Sequence, residues 1–105
     1  NHNVIAAIAT TTIWTPAANS TIGVYRVNIA CDAAQTVRLQ FTDAAALNPR
    51  ILGLYRFSAA GTYTVDFDTA LIRNPHGNDG LLRAITTTAA STEIDSYGHD
   101  ILFGQ

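Results

Sequence analysis

Apolar and polar residues alternate with a period of two through most of the chain, and turn-forming residues interrupt the alternation at short intervals. In residues 61–67, Thr62, Thr64 and Asp66 alternate with Tyr63, Val65 and Phe67, the spacing of a strand with one buried face. In residues 23–31, Tyr25, Val27 and Ile29 share one face, with Arg26 and Asn28 on the other. Residues 36–43 place Val37, Leu39 and Phe41 inward and Arg38, Gln40 and Thr42 outward. The connection Asp32-Ala33-Ala34-Gln35 between these two runs has a length common in hairpins, so the pair is predicted to form one.

Residues 44–50 (AAALNPR) read as a loop ended by Asn48-Pro49. Residues 51–58 are apolar on both sides, which predicts a strand covered on both faces. Gly53 within that run marks a bulge or a close backbone approach. Residues 81–88 and 92–97 form further strands, and Gly98 predicts a bend before a last strand at 101–103. Residues 68–80, the longest connection, carry Leu71 and Ile72, which are expected to tuck under the loop or against a neighbour.

The N-terminal stretch has apolar patches at 4–8 and at Ile13-Trp14, joined by threonines. Its β-prone residues predict an extended arm or edge strand over 1–20; its alanines also permit a short amphipathic helix over 3–10. The tally is seven or eight strands with little helix and no internal repeat. The fold class predicted is therefore all-β: a single antiparallel β-sandwich of jelly-roll type over 21–105, preceded by the arm. An immunoglobulin-type sandwich fits less well, because the Cys…Trp…Cys signature is missing.

Composition adds a second signal. The 105 residues suit one domain, and 13% are charged where about 25% is usual. Lysine is absent, and Glu93 is the single glutamate. A GC-rich coding sequence would produce this bias, as would a surface largely covered by other subunits, since interfaces are poor in Lys and Glu and rich in Arg. The net charge is −2, and the arginines (Arg26, Arg38, Arg50, Arg56, Arg73, Arg83) are dispersed, unlike the basic stripe of a nucleic-acid binder. No apolar run approaches the roughly 18 residues of a membrane span, and the stretch carries no signal-peptide pattern. The chain starts at Asn1 and contains no methionine, which implies that it is not a complete translation product. Cys31 stands alone and reads as a small buried hydrophobe.

Candidate chemistry is sparse. His76, Asp79, His99 and Asp100 could hold a metal, but their spacing matches no familiar ligand pattern and such residues are also good turn formers. Asp66 and Asp68 share a face and could form a carboxylate pair, or two solvated acids. Calcium at Asp66, Asp68 and Asp79 lacks the dense acidic loop such sites use. Ser58, Ser91 and Ser96 are not in a nucleophile elbow, and there is no phosphate-binding glycine loop. Asn19-Ser20-Thr21 matches the N-glycosylation pattern. The expectation is no enzyme, no metal and no cofactor. Trp14, Tyr25, Tyr55, Tyr63 and Tyr97 could line a sugar-binding platform, although Tyr25, Tyr55 and Tyr63 fall on inward faces. Trp14 reads equally as an intermolecular contact or as a lid on one end of the sandwich.

The order of a threonine-rich arm, a hairpin, an apolar strand, AAGTYTVDF, a Pro/Asn/Gly loop, GLLRAITTTAA and a final strand pair resembles small bacteriophage virion proteins with a jelly-roll, tumour-necrosis-factor-like sandwich. The resemblance runs from about residue 21 onward, while the absence of lysine and the long 68–80 loop depart from it. It implies a capsid decoration, or cement, protein that forms a homotrimer and binds the major capsid protein on the outer surface of the head. A carbohydrate- or receptor-binding module of a phage tail or fibre is the alternative. The contact residues expected are Val4, Ile5, Ile8, Ile13 and Trp14 in the arm, and Leu71, Ile72, Arg73 and His76 in the long loop. An apolar, charge-poor arm suits strand addition to a neighbouring subunit.

Overall fold

The alternating runs form strands arranged in two antiparallel sheets, and the chain is all-β. The computed structural model describes residues 1–67 and 71–102. The strand segments are β1 (His2–Ile5), β2 (Ala9–Trp14), β3 (Ser20–Cys31), β4 (Gln35–Thr42), β5 (Arg50–Phe57), β6 (Gly61–Asp66), β7 (Ile72–Arg73), β8 (Leu81–Thr86) and β9 (Thr92–Leu102). One sheet has the order β1-β9-β3-β6, with β7 also on β3; the other has the order β2-β8-β4-β5.

The pairing is nested. β1 pairs with β9, β2 with β8, β3 with β6 and β7, and β4 with β5. The ladders β3·β9 and β4·β8 then join these pairs into sheets. β4 and β5 form a hairpin within one sheet, while β1 to β2, β2 to β3, β3 to β4, β5 to β6, β7 to β8 and β8 to β9 all change sheet. The inward faces interlock: Ile22, Val24, Val27, Ile29 and Ile94 from the first sheet meet Val37, Leu39, Phe41, Leu82 and Ala84 from the second, all at most 2% exposed. Full burial of each large aliphatic side chain stabilises by roughly 1.5–3 kcal/mol before conformational entropy is counted.

The hairpin predicted between residues 23–31 and 36–43 does not form: β3 and β4 lie in opposite sheets. A short connection also suits a crossing at the sandwich end. β3 instead pairs along its length with β9, which is one residue shorter, from Ser20↔Leu102 to Cys31↔Thr92. The inward placement of Tyr25 also fails. The β3·β9 register shifts between Val24 and Arg26, so Tyr25 is the extra residue of a bulge. The core face is Ile22 and Val24 before it and Val27 and Ile29 after it, leaving Tyr25 half-buried.

The strand expected to be covered on both faces is β5, an edge strand whose Ile51 and Leu54 are 61% and 49% exposed. Gly53 behaves as expected: the β4·β5 register shifts beside it, and a Cβ there would overlap the Tyr55 hydroxyl. Gly98 produces no bend, because β9 runs unbroken from Thr92 to Leu102. It permits contact instead, since a Cβ at Gly98 would overlap the carbonyl oxygen of Gly23 on the adjoining strand, next to its ladder partner Val24. Phe103, expected at the end of the last strand, lies outside the described residues. In the N-terminal stretch no helix forms over 3–10; residues 1–20 supply an edge strand to each sheet, β1 and β2.

Two buried primary amides hold the ends. At one end Gln35 Oε1 accepts from the N–H groups of Thr36 (3.1 Å), Thr87 (3.0 Å) and Thr88 (2.9 Å). Its Nε2 donates to Thr88 O (3.0 Å) and Thr92 Oγ1 (3.2 Å). At the other end Asn74 Nδ2 donates to Thr42 O (3.1 Å), its Oδ1 accepts His76 N–H (2.9 Å), and its own N–H donates to Ile22 O (3.0 Å).

Gly98→Ala should destabilise by about 1–3 kcal/mol, the usual cost of overpacking, because the obstruction is backbone. Gly61→Ala, whose added Cβ would meet nothing nearer than 3.8 Å, should stay within about 0.5 kcal/mol of the parent. Parallel urea melts of the two variants measure the contrast.

Candidate interaction surface

The expected contact residues separate into two groups. Ile5, Ile13 and Trp14 are 5%, 4% and 8% exposed and belong to the core. The Trp14 indole N–H donates to Asp100 Oδ1 at 2.9 Å, and Asp100 Oδ2 accepts the Ala17 N–H at 2.9 Å. Trp14 is thus the lid on one end of the sandwich, and its ring is not open to a sugar or a neighbour. Val4 and Ile8 are 57% and 73% exposed. In the long loop, Leu71 and Ile72 are half-buried; Ile72 pairs with Val24 and packs against the core, as expected of a loop that tucks its apolar residues inward. Arg73 is exposed, and His76 is half-buried with its Nε2 enclosed and without a hydrogen-bond partner.

The acids considered for chemistry are engaged in structure. Asp79 Oδ1 accepts the Asn19 N–H at 2.8 Å, and Asp100 is held by Trp14 and Ala17. Asp66 pairs with Arg26 at 3.4 Å. Its proposed partner Asp68 lies outside the described residues. Among the described residues, no three of His, Cys, Asp and Glu come together. Cys31 is buried; desolvation pushes its thiol above the ordinary value, a hydrogen bond with Thr92 opposes this, and the Asp32 charge adds to it.

Asp43 organises the β4–β5 loop. Its Oδ1 accepts the N–H groups of Leu47 (2.8 Å) and Ala45 (3.0 Å), and its Oδ2 accepts from Asn48 Nδ2 (2.8 Å). These bonds, Leu47 and then Asn48 foremost, hold its carboxyl below the usual range. They also fix the left-handed backbone at Ala46 and Asn48, with φ of 61° and 55°.

Where β5 and β6 form the free edges of the two sheets, a cleft of about 450 Å³ opens, lined by Leu54, Tyr55, Phe57, Ser58, Thr62 and Tyr63 among others. The Tyr55 and Tyr63 rings meet across it, with centroids 5.3 Å apart and planes inclined at 38°. Tyr63, expected in the core, is 52% exposed because it projects inward at an open edge. Burial first, and the neighbouring Tyr63 second, pushes the Tyr55 phenol above its ordinary value. Sequence reading placed these rings inward and missed the cleft, since alternation reports a face and not whether that face reaches the rim.

The fold defines a class: two-sheet, sandwich-like all-β domains. The sequence matches no protein-family model and no curated protein. Among solved structures the chain is similar to PirA, known from a crystal structure, with a TM-score of 0.54 over 92% of each chain and 11% sequence identity. At that identity the likeness concerns the fold alone.

The depressed Asp43 pKa carries a pH signature. Its contribution is complete above the unfolded carboxylate pKa and is lost as pH falls through the lower folded value. Asp43→Asn should therefore lower the melting temperature at neutral pH and flatten its decline on the acid side of the usual carboxylate range, compared with the parent in thermal melts.

Proposed function

We propose that this chain is a jelly-roll virion structural protein of a bacteriophage, a decoration protein that trimerises and cements the outer surface of the head by binding the major capsid protein. The jelly-roll reading is supported by the nested pairing order, in which β4–β5 is the turn of a long ribbon whose two arms roll into facing sheets. The observation that carries the binding role is the placement of large apolar side chains on outer faces and edges. Val4, Ile8, Ile51, Leu54 and Tyr97 are all more than a third exposed, which leaves apolar area on both sheets available for subunit contact. Assembly would stabilise each partner by mass action.

The contact part of the arm narrows to Val4 and Ile8. Deleting residues 1–15 would also remove Ile5, Ile13 and Trp14 from the core, so the informative variants are Val4→Lys, which faces Glu93 across the ladder, and Ile8→Asp. Both should fold with a melting temperature near that of the parent and bind purified decoration-free heads more weakly in a co-sedimentation assay. Unchanged binding removes the arm from the contact, and a parent chain that never sediments with heads rejects the cement role.

The Tyr55–Tyr63 cleft favours a second reading, a carbohydrate- or receptor-binding module of a tail or fibre. It predicts saturable glycan binding that Tyr63→Ala abolishes.

A further inference from the structure

The two sheets differ in charge. The strands of β2-β8-β4-β5 contain Arg38, Arg50, Arg56 and Arg83 and not one carboxylate. The strands of the other sheet contain Asp66, Glu93, Asp95 and Asp100 against Arg26 and Arg73. Four of the six arginines thus lie in one sheet, and four of the eight acids in the other. Arg50 stands opposite the core residue Phe41, and Asp100 stands opposite the core residue Ile22 and bonds Trp14, so both fall on inward positions. The outer faces then carry Arg38, Arg56 and Arg83 on one sheet, and Asp66, Glu93 and Asp95 beside Arg26 and Arg73 on the other.

Register places Arg38, Arg56, Arg83, Glu93 and Asp95 on the outside. Arg38 alternates with buried Val37 and Leu39 and stands opposite Leu54 and Ile85; Arg83 stands opposite Gln40 and Thr12; Arg56 stands opposite Thr36. Exposed Ile51 and Leu54 lie among them. Arg38 Nε, Arg83 Nε and Gln40 Oε1 are enclosed without a hydrogen-bond partner, although one Arg83 terminal nitrogen donates to Thr10 O at 3.3 Å. On the opposite face, Glu93 and Asp95 alternate with buried Ile94, with Val4 beside Glu93 and Tyr97 following Asp95 on the same row. His2 contacts Asp95, and Asn28 Oδ1, opposite Asp95, also has no partner.

We propose that the chain associates with a second copy of itself head to tail, the arginine-bearing face of β2-β8-β4-β5 in one copy docking on the Glu93–Asp95 face of β1-β9-β3-β6 in the next. The complementary charge and the apolar residues on both faces favour a copy of this chain as the occupant. A contact between unlike faces is heterologous, so repetition closes into a ring when the rotation permits and otherwise extends as an open stack. Arginine supplies such a surface better than lysine because its planar, weakly hydrated guanidinium pairs with carboxylates while stacking on apolar neighbours. The inference deepens the self-association in the decoration reading and is independent of the shell.

The test is sedimentation equilibrium of the parent, of Arg38→Glu with Arg83→Glu, of Glu93→Arg with Asp95→Arg, and of all four changes in one chain. The parent should associate, and more weakly as salt rises. Each two-residue variant should lose affinity about tenfold or more, and the four-residue variant should regain it, because the faces have exchanged sign together. Mixing the two two-residue variants should also restore association. Equal masses for the parent and both face variants overturn the proposal, as does a parent that stays monomeric at low salt. Head co-sedimentation of the same samples then judges the cement reading separately. Should changes at the half-buried Arg38 and Arg83 unfold the chain, exposed Arg56→Glu, alone and with Glu93→Arg, asks the same question. Loss followed by recovery supports the docking, and no loss overturns it.

Discussion

Closing the two ends of the sandwich is the constraint on which this structure depends, and two buried amides meet it. Because nearly every connection changes sheet, the ends carry stretches of turning backbone whose N–H and C=O groups must find partners away from the ladders. Gln35, 2% exposed, gathers the turn after β8 onto the start of β4 and onto Thr92 at the start of β9. Asn74, 3% exposed, ties the β7–β8 connection to the end of β4 and the start of β3. A primary amide suits this position because it offers both donors and acceptors and needs no counter-charge. Leaving one such buried group unpaired costs about 1–3 kcal/mol, a large share of a small domain's net stability. Trp14 and Asp100 serve the Asn74 end in the same manner, with an indole donor and a carboxylate that also caps Ala17.

Much of the strand content was legible in the sequence, because alternation is a direct imprint of burial on one face. Residues 36–43 and 81–88 were placed to within one and two residues at their ends, and the inward Val37, Leu39 and Phe41 are core. Alternation does not say which strand lies beside which. The β3–β4 hairpin was inferred from a short connection, whereas the neighbour of β3 is β9, roughly seventy positions away in sequence. One inserted residue at Tyr25 was enough to switch the inward positions of β3 from Ile22 and Val24 to Val27 and Ile29, and nothing in its local sequence marks the insertion. Gln35 and Asn74 were missed because a polar residue beside a turn reads as solvated unless the tertiary structure encloses it.

The same limits governed the interaction surface. Ile5, Ile13 and Trp14 look like a sticky arm in one dimension, yet the fold uses them as core at the edges of both sheets. Conversely, Ile51 and Leu54 look like a doubly buried strand and are surface. The low charge content acquires meaning only when the strands are sorted by sheet, for the few Arg and Asp/Glu residues are also partitioned between the sheets. The dispersed arginines of the linear sequence converge because alternate strands of the chain return to the same sheet.

The nested pairing has a consequence for biosynthesis. β9 is the interior strand joining β1 to β3, and ribosomes make it after every strand it unites. Until it emerges, β1 has no ladder and β3 carries a long vacant edge rich in Ile and Val. The first sheet therefore cannot assemble vectorially, segment by segment, as a chain of consecutive hairpins could. Its ladders close over most of the chain's length, a topology that folds slowly and leaves strand edges open to wrong partners in the interval.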